Sequence, residues 1–243
     1  MSSSGTEQAM SSTGSDRIDP SREVHKKTLL LAPETAFELR SNDKKIALLM
    51  CTPRNLDDLS AGYLLSHDSL NDPDAAKPEC LPAGFIVALT LLKSWAMAMY
   101  KAAELYAVTG GMHCAALALQ HGASEPKGPD ARLSMAGTNP SIPDGAMYFV
   151  VREDVGRHNA VDKVIGRGCI DMVDFASACI LSSGRIAADM VLKAAVARVP
   201  VIVSRSIPTT AAFDLAQELG LTIVGRIGDE EPAVYTNPER VLL

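Results

Sequence analysis

The sequence predicts an α/β protein with a largely parallel, mixed sheet flanked by helices. Three observations carry this: apolar runs of strand length recur from residue 147 onward, segments of helical period separate them, and the runs end in Gly, Ser or Arg.

Taken in order, residues 1–22 are rich in Ser, Gly and Thr and cannot bury enough apolar surface to order themselves, so a disordered tail is expected. Residues 46–51 form a short apolar run ended by Thr52-Pro53, as a buried strand ends. A helix opens next: Asn55 can cap it, Asp57 and Asp58 suit the positive end of its dipole, and Leu56, Leu59, Tyr63 and Leu64 share a face. Residues 71–78 read as a polar connection. Helical signal returns over 89–107 and ends near Gly110-Gly111. Residues 121–144, crowded with Gly, Pro, Ser and Asn, read as an exposed insertion.

The chain then alternates. Strands are expected at 147–151, 178–181, 199–203 and 221–224, with helices over 154–165, 186–198 and 209–219 between them. Such a βαβαβαβ series implies parallel strands joined by right-handed crossovers. Three portions result: the tail at 1–22, a smaller N-terminal α+β portion at 23–80, and a core at 81–243.

Composition excludes several functions. The formal net charge of −6 across 243 residues argues against the broad basic face of a nucleic-acid binder. Residues 81–119 lean apolar but are interrupted by Lys93, Lys101, Glu104 and Gly110-Gly111, so no membrane span is expected. The N-terminus has no hydrophobic signal core, and the five cysteines form no CxxC pair, which together point to reduced thiols and a cytoplasmic location.

The densest chemistry lies at residues 152–163, Arg-Glu-Asp-Val-Gly-Arg-His-Asn-Ala-Val-Asp-Lys. Val155, Val161, Val164 and Ile165 can turn inward on a helix, leaving the polar side chains at the mouth of a site. In open α/β sheets ligands collect beyond the strand C-termini. Those ends carry residues 152–154, Ser182-Ser183-Gly184-Arg185, Ser204-Arg205-Ser206 and Gly225-Arg226, a chemistry suited to a phosphate-bearing anion. The blander alternative is a solvated helix start.

Several motifs together resemble the formate dehydrogenase accessory sulfurtransferase family, FdhD. They are Cys51-Thr52-Pro53 with Leu56 to Gly62, Thr109 to Leu117 as TGGMHCAAL, Glu153 to Gly166 as EDVGRHNAVDKVIG, Ser182 to Arg185 with Lys193-Ala194, residues 201–209, and Gly220 to Gly225 with Tyr235. The resemblance covers most of residues 25–240 and implies a cytidine-deaminase-like core. It implies sulfur transfer from a cysteine desulfurase to Mo-bis(molybdopterin guanine dinucleotide), bound as substrate, on behalf of formate dehydrogenase, by a homodimer holding no metal itself.

On that reading Arg157, Arg185 and Arg205 would grip the pyrophosphate, and His158 would bond a phosphate or move a proton. Gly110, Gly111, His113 and Ser183 would line the site. Asp154 and Asp162 would orient the basic residues or accept from guanine N–H groups. The family's nucleotide segment falls on Arg226, Ile227, Gly228, Asp229, Glu230 and Glu231, where three acids replace the usual aromatic and Arg-Gly. A second departure is larger: the family's Cys-Gly-x-Cys-Gly loop is missing, and Cys80 is the only cysteine in the corresponding region. Acidic Glu79 beside Cys80 would discourage its ionisation.

Cys51, Cys169 and Cys179 read as small core residues, and so do Met97 and Met99. Cys114 beside His113 could ligate a metal, but the deaminase Pro-Cys-x-x-Cys partner is missing, which disfavours a zinc hydrolase. His113 and Gly110-Gly111 keep a structural alternative, the glycines simply ending a helix. His25, His67 and His121 carry no specific signal. The remaining competitor to sulfur transfer is a non-catalytic chaperone that binds molybdenum cofactor or guanine nucleotide.

Overall fold

The computed structural model describes residues 12–18, 24–71, 81, 84–135 and 142–243. The N-terminal portion holds two antiparallel pairs, β1 (Ser12–Ile18) with β2 (Val24–Leu30) and β3 (Thr35–Ser41) with β4 (Lys44–Cys51), followed by α1 (Leu56–Asn71). Strand β1 lies inside the stretch expected to be a disordered tail.

The core opens with β5 (Val87–Ala88), α2 (Leu89–Ala102) and α3 (Glu104–Thr109). One helix was expected where these two stand. The chain leaves helical geometry at Ala103, which is buried, and the first turn of α3 donates Tyr106 N–H to Glu153 Oε1 at 2.6 Å. A carboxylate at that positive helix end favours a fresh start. Then follow β6 (His113–Gln120), β7 (Ala146–Asp154), α4 (Arg157–Ile170), β8 (Ala178–Ser182), α5 (Ala188–Val196), β9 (Val201–Ser204), α6 (Thr210–Leu219), β10 (Thr222–Gly225), β11 (Ala233–Val234) and β12 (Val241–Leu242). Strand β12 pairs with β5 in a separate two-stranded sheet.

The main sheet has six strands in the order β11-β10-β9-β8-β6-β7. Strands β8, β9 and β10 are parallel neighbours, whereas β6 is antiparallel to both β7 and β8. The α/β class and mixed sheet therefore match expectation, with one correction. The four strands of the alternating series do point the same way, but β7 does not touch β8, because β6 is wedged between them. The sequence HCAALALQ hides that strand: buried on both faces, it has no polar alternation, and its Ala and Leu favour helix.

Helices cover both faces. Val161 and Ile165 of α4, Met190 and Ala194 of α5, and Ala212 and Ala216 of α6 pack with Leu117, Ile180, Ile202 and Ile223 on one side. Leu92, Trp95 and Met99 of α2 pack with Ala116, Leu181 and Val203 on the other. Met99 is core as expected, but Met97 is 68% exposed.

Helix α1 lies on the outer side of α4 at glycine-limited distance. A Cβ on Gly62 would sit 1.8 Å from Asp162 O, and one on Gly166 1.8 Å from Asp58 O. The described part of the 121–144 insertion is anchored rather than loose: Lys127 and Gly128 N–H groups both bond Asp171 O, and Ala131 is buried.

Candidate functional site

The sheet topology gathers one edge. Because β6 runs against its neighbours, its first residue His113 pairs with Asp154, the last of β7, and Ala115 with Ser182, the last of β8. Ser182 in turn pairs with Ser204, the last of β9. The loops beyond these ends are fastened by hydroxyls. Ser182 Oγ accepts from Gly184 N–H at 3.1 Å, Ser204 Oγ donates to Gly184 O at 2.6 Å and accepts from Ser206 N–H at 2.9 Å. Ser183 Oγ accepts from Cys114 N–H at 3.0 Å and lies 3.2 Å from His113 Nδ1.

On the α4 side of this edge stands a basic corner of His113, Arg157 and His158. Arg157 is pressed against Gly184, where a Cβ would meet its Cβ and Cδ at 2.8 Å, and its Nε is buried with no hydrogen-bond partner. His158 Nδ1 lies 3.2 Å from Asp189 Oδ2. Burial, then the Arg157 charge, holds the His113 imidazole below its usual range, with Asp154 opposing. His158 is likewise lowered by burial and by Arg157, Lys193 and His113, against the pull of Asp189. Both rings are thus biased toward neutrality by the same cation.

On the α2 side lies a cavity of about 310 Å³ lined by Lys93, Ala96, Met97, Tyr100 and the run Ile227 to Glu230. The Arg205 guanidinium sits 6.0 Å from the Tyr100 ring centroid, and the Tyr100 hydroxyl is buried without a partner. Burial pushes that phenol well above its ordinary range. Lys93 Nζ donates to Glu230 O at 3.2 Å, closing one wall.

The expected residues divide accordingly. His113, Arg157, His158 and Ser183 converge, Ile227, Gly228, Asp229 and Glu230 line the cavity on the α2 side, and Arg205 sits beside it at Tyr100. Arg185, Arg226 and Glu231 are exposed. Gly110 adopts a left-handed φ of 65° and its N–H closes α3 onto Tyr106 O, so the helix-ending alternative describes it; Gly111 follows it into β6. Cys80 lies outside the described residues.

Asp154 and Asp162 require correction. Together with Lys163 they were expected at the site mouth, yet all three are almost wholly buried. Lys163 Nζ bonds Asp154 Oδ2 at 2.6 Å, and Lys193 Nζ bonds both Asp162 oxygens at 2.6 and 2.8 Å as well as Ser66 Oγ at 3.1 Å. The cause is α1, which covers the outer face of α4 and turns it into interior. Buried charges of this kind must be paired. They orient lysines beneath the site rather than arginines within it.

Two participants were missed. Tyr100 sits in an apolar helix with no pattern to distinguish it. Thr52 is fully buried: its N–H donates to Asp154 Oδ2 at 3.0 Å, its carbonyl accepts from Lys163 Nζ at 3.0 Å, and its Oγ1 accepts from Val155 N–H at 3.2 Å. Its signal was present in the Cys51-Thr52-Pro53 motif. Among the described residues no group of three or more His, Cys, Asp or Glu is placed to hold a metal, and no helix is long and apolar enough to cross a membrane.

The fold and site define a mixed α/β sheet protein with a basic edge that can take an anion. Residues 141–242 match the model of the FdhD/NarQ family. Proteins named sulfur carrier protein FdhD are similar to the chain. The one from Methanothermobacter thermautotrophicus is 38% identical over 59% of this chain and 48% of its own length, and the one from Geobacillus kaustophilus is 27% identical over 88% and 90%. A third, from Staphylococcus aureus, is 31% identical over 74% of this chain and 56% of its own. These matches thus span about half the length of the first and third relatives. The crystal structure of a candidate formate dehydrogenase accessory protein from Desulfotalea psychrophila superposes with a TM-score of 0.77 at 24% identity, over 96% of this chain and 99% of that one. The chain is thus similar to the FdhD/NarQ proteins over the stretch that holds its motifs.

Proposed function

We propose that this chain is a formate dehydrogenase accessory protein that receives Mo-bis(molybdopterin guanine dinucleotide) as substrate at the sheet edge. Sulfur comes to it from a cysteine desulfurase and is carried on Cys80. The observation that carries the binding half is the Arg157 Nε, buried and unpartnered, on a side chain whose charge is felt by both His113 and His158. A buried guanidinium donor without an acceptor is costly, and a phosphate oxygen is the acceptor it suits. Arg205, exposed beside the Tyr100 ring, would meet a second phosphate on this reading. Asp229 and Glu230 suit guanine N–H donors better than phosphates, which gives the departure from the family pattern a use.

The second reading, a cofactor binder without sulfur chemistry, is favoured by the thiols. Cys51, Cys114 and Cys179 are buried, and burial pushes Cys51 up to about 11 and Cys114 up to about 12. Half-buried Cys169 is raised as well. A persulfide carrier must present a thiolate, and none of these four described thiols ionises readily. Intact-protein mass after incubation with a cysteine desulfurase and cysteine separates the readings. One added sulfur, lost in Cys80→Ala, is the expected result; no added sulfur, with guanosine diphosphate (GDP) still bound in calorimetry, leaves the binder. Absence of both sinks the proposal.

A further inference from the structure

Thr52 bonds the segments that lead into His113 and Arg157. Its Oγ1 accepts from Val155 N–H, two residues before Arg157, and donates to Met112 Sδ at 3.6 Å, one residue before His113. Its N–H and carbonyl are taken by Asp154 and Lys163, the buried pair beneath the corner. Asp154 Oδ1 in turn accepts from Gly156 N–H at 3.0 Å and Asn159 Nδ2 at 3.0 Å, which shapes the turn from which Arg157 and His158 emerge. Thr52 itself is fully buried.

We propose that Thr52 is a positioning residue: through its hydroxyl, the N-terminal portion sets the spacing between the segments bearing His113 and Arg157, and so the affinity of the basic corner for phosphate. This rests on the anion-binding reading above and deepens it. The core holds the two segments from the β8 loop, His113 through Ser183 and Arg157 against Gly184, but the ladder between them stops at the His113–Asp154 pair, where β6 begins and β7 ends. The hydroxyl bridges the two strand ends one step beyond the last pair. An anion held between His113 and Arg157 therefore depends on a side chain it never meets.

The test uses Thr52→Val, which removes the hydroxyl at nearly constant volume, and Thr52→Ser, which keeps it. The valine variant is expected to bind GDP about tenfold more weakly, on the scale of one buried hydrogen bond. The His113 imidazole, followed by NMR, is expected to titrate closer to its ordinary range as its segment loosens, and the serine variant to restore both. A folded valine variant with wild-type affinity and titration overturns the proposal. So does a serine variant as impaired as the valine one, since packing of the methyl group would then be the cause. If Thr52→Val does not fold, amide exchange in the wild-type chain decides: GDP is expected to slow Val155 together with Arg157 and His158, and an unchanged Val155 refutes the bridge. If the wild-type chain binds no GDP, the anion-binding reading fails, and the positioning role stands or falls on the His113 titration alone.

Discussion

Arg157 lies against Gly184 so closely that position 184 has no room for a side chain, its absent Cβ falling 2.8 Å from the arginine's own Cβ and Cδ. The glycine of the β8 loop thereby sets the direction of a guanidinium that belongs to a different helix.

Gly184→Ala is therefore expected to weaken GDP binding about as much as Arg157→Ala, roughly tenfold or more for a charge-assisted contact. The double variant is expected to lose no more than the worse single one, since both act on one interaction. Titration calorimetry of the three variants checks this; additive losses would show that the two residues act separately. Arg185→Ala is expected to weaken GDP binding while leaving the fold intact, since its side chain is exposed.

Breaking the buried Lys163–Asp154 pair from one side is expected to be more damaging than removing both charges. Lys163→Met alone leaves a buried carboxylate unpaired and is expected to cost about 3–5 kcal/mol in urea unfolding. Lys163→Met with Asp154→Leu is expected to recover part of that loss.

Gly62→Ala and Gly166→Ala each place a carbon inside van der Waals contact of a backbone carbonyl across the α1–α4 interface. Each is expected to destabilise by about 3 kcal/mol, the upper range for an overpacked core. Wild-type stability in either variant would mean that α1 is free to move off α4.

The two histidines give a pH dependence with a definite sign. His113 and His158 are both held below their ordinary range by burial and Arg157, so the unfolded chain binds more protons as pH falls through the imidazole range. Their contribution to stability is present above the unfolded value near 6.5 and is lost as pH falls through the depressed folded values. GDP affinity is expected to move the other way, rising as the rings gain charge. Urea midpoints and calorimetry at a series of pH values, with a His113→Gln, His158→Gln variant that flattens both trends, test the assignment.

Alkylation of the folded chain is expected to spare Cys51, Cys114 and Cys179, whose thiols are buried and hard to ionise. Peptide mass mapping after brief treatment at mild alkaline pH reads this directly. Rapid modification of Cys114 would place it at an open part of the site.

Much of the fold was legible because its strands and helices alternate with the right periods. The start of α6 shows local chemistry carrying the reading: Thr209 Oγ1 accepts from Ala212 N–H at 3.3 Å, and Gly220 closes the helix in a left-handed conformation. Strand β6 was not legible, since a strand buried on both faces shows neither alternation nor a distinctive composition. In the site, Arg157, His158 and Ser183 could be named from their places at strand and helix ends, whereas His113, at the start of the hidden β6, came only with the resemblance. Asp162 was misplaced because its surroundings are made by Ser66 of α1 and Lys193 of α5, far away along the chain. Local pattern registers that a residue is polar; only packing decides whether its partner is a ligand or a lysine.

The position of β6 also limits how this chain can be divided. The region matched by the family model begins at residue 141, yet β7 and β8 inside it both hydrogen-bond to a strand that ends at Gln120. A fragment started at 141 would leave β7 an orphan and bare the inner edge of β8, a long apolar edge of the kind that recruits other chains. The most recognisable stretch of this sequence thus lacks a strand that two of its own strands pair with, and a truncation designed around it invites aggregation.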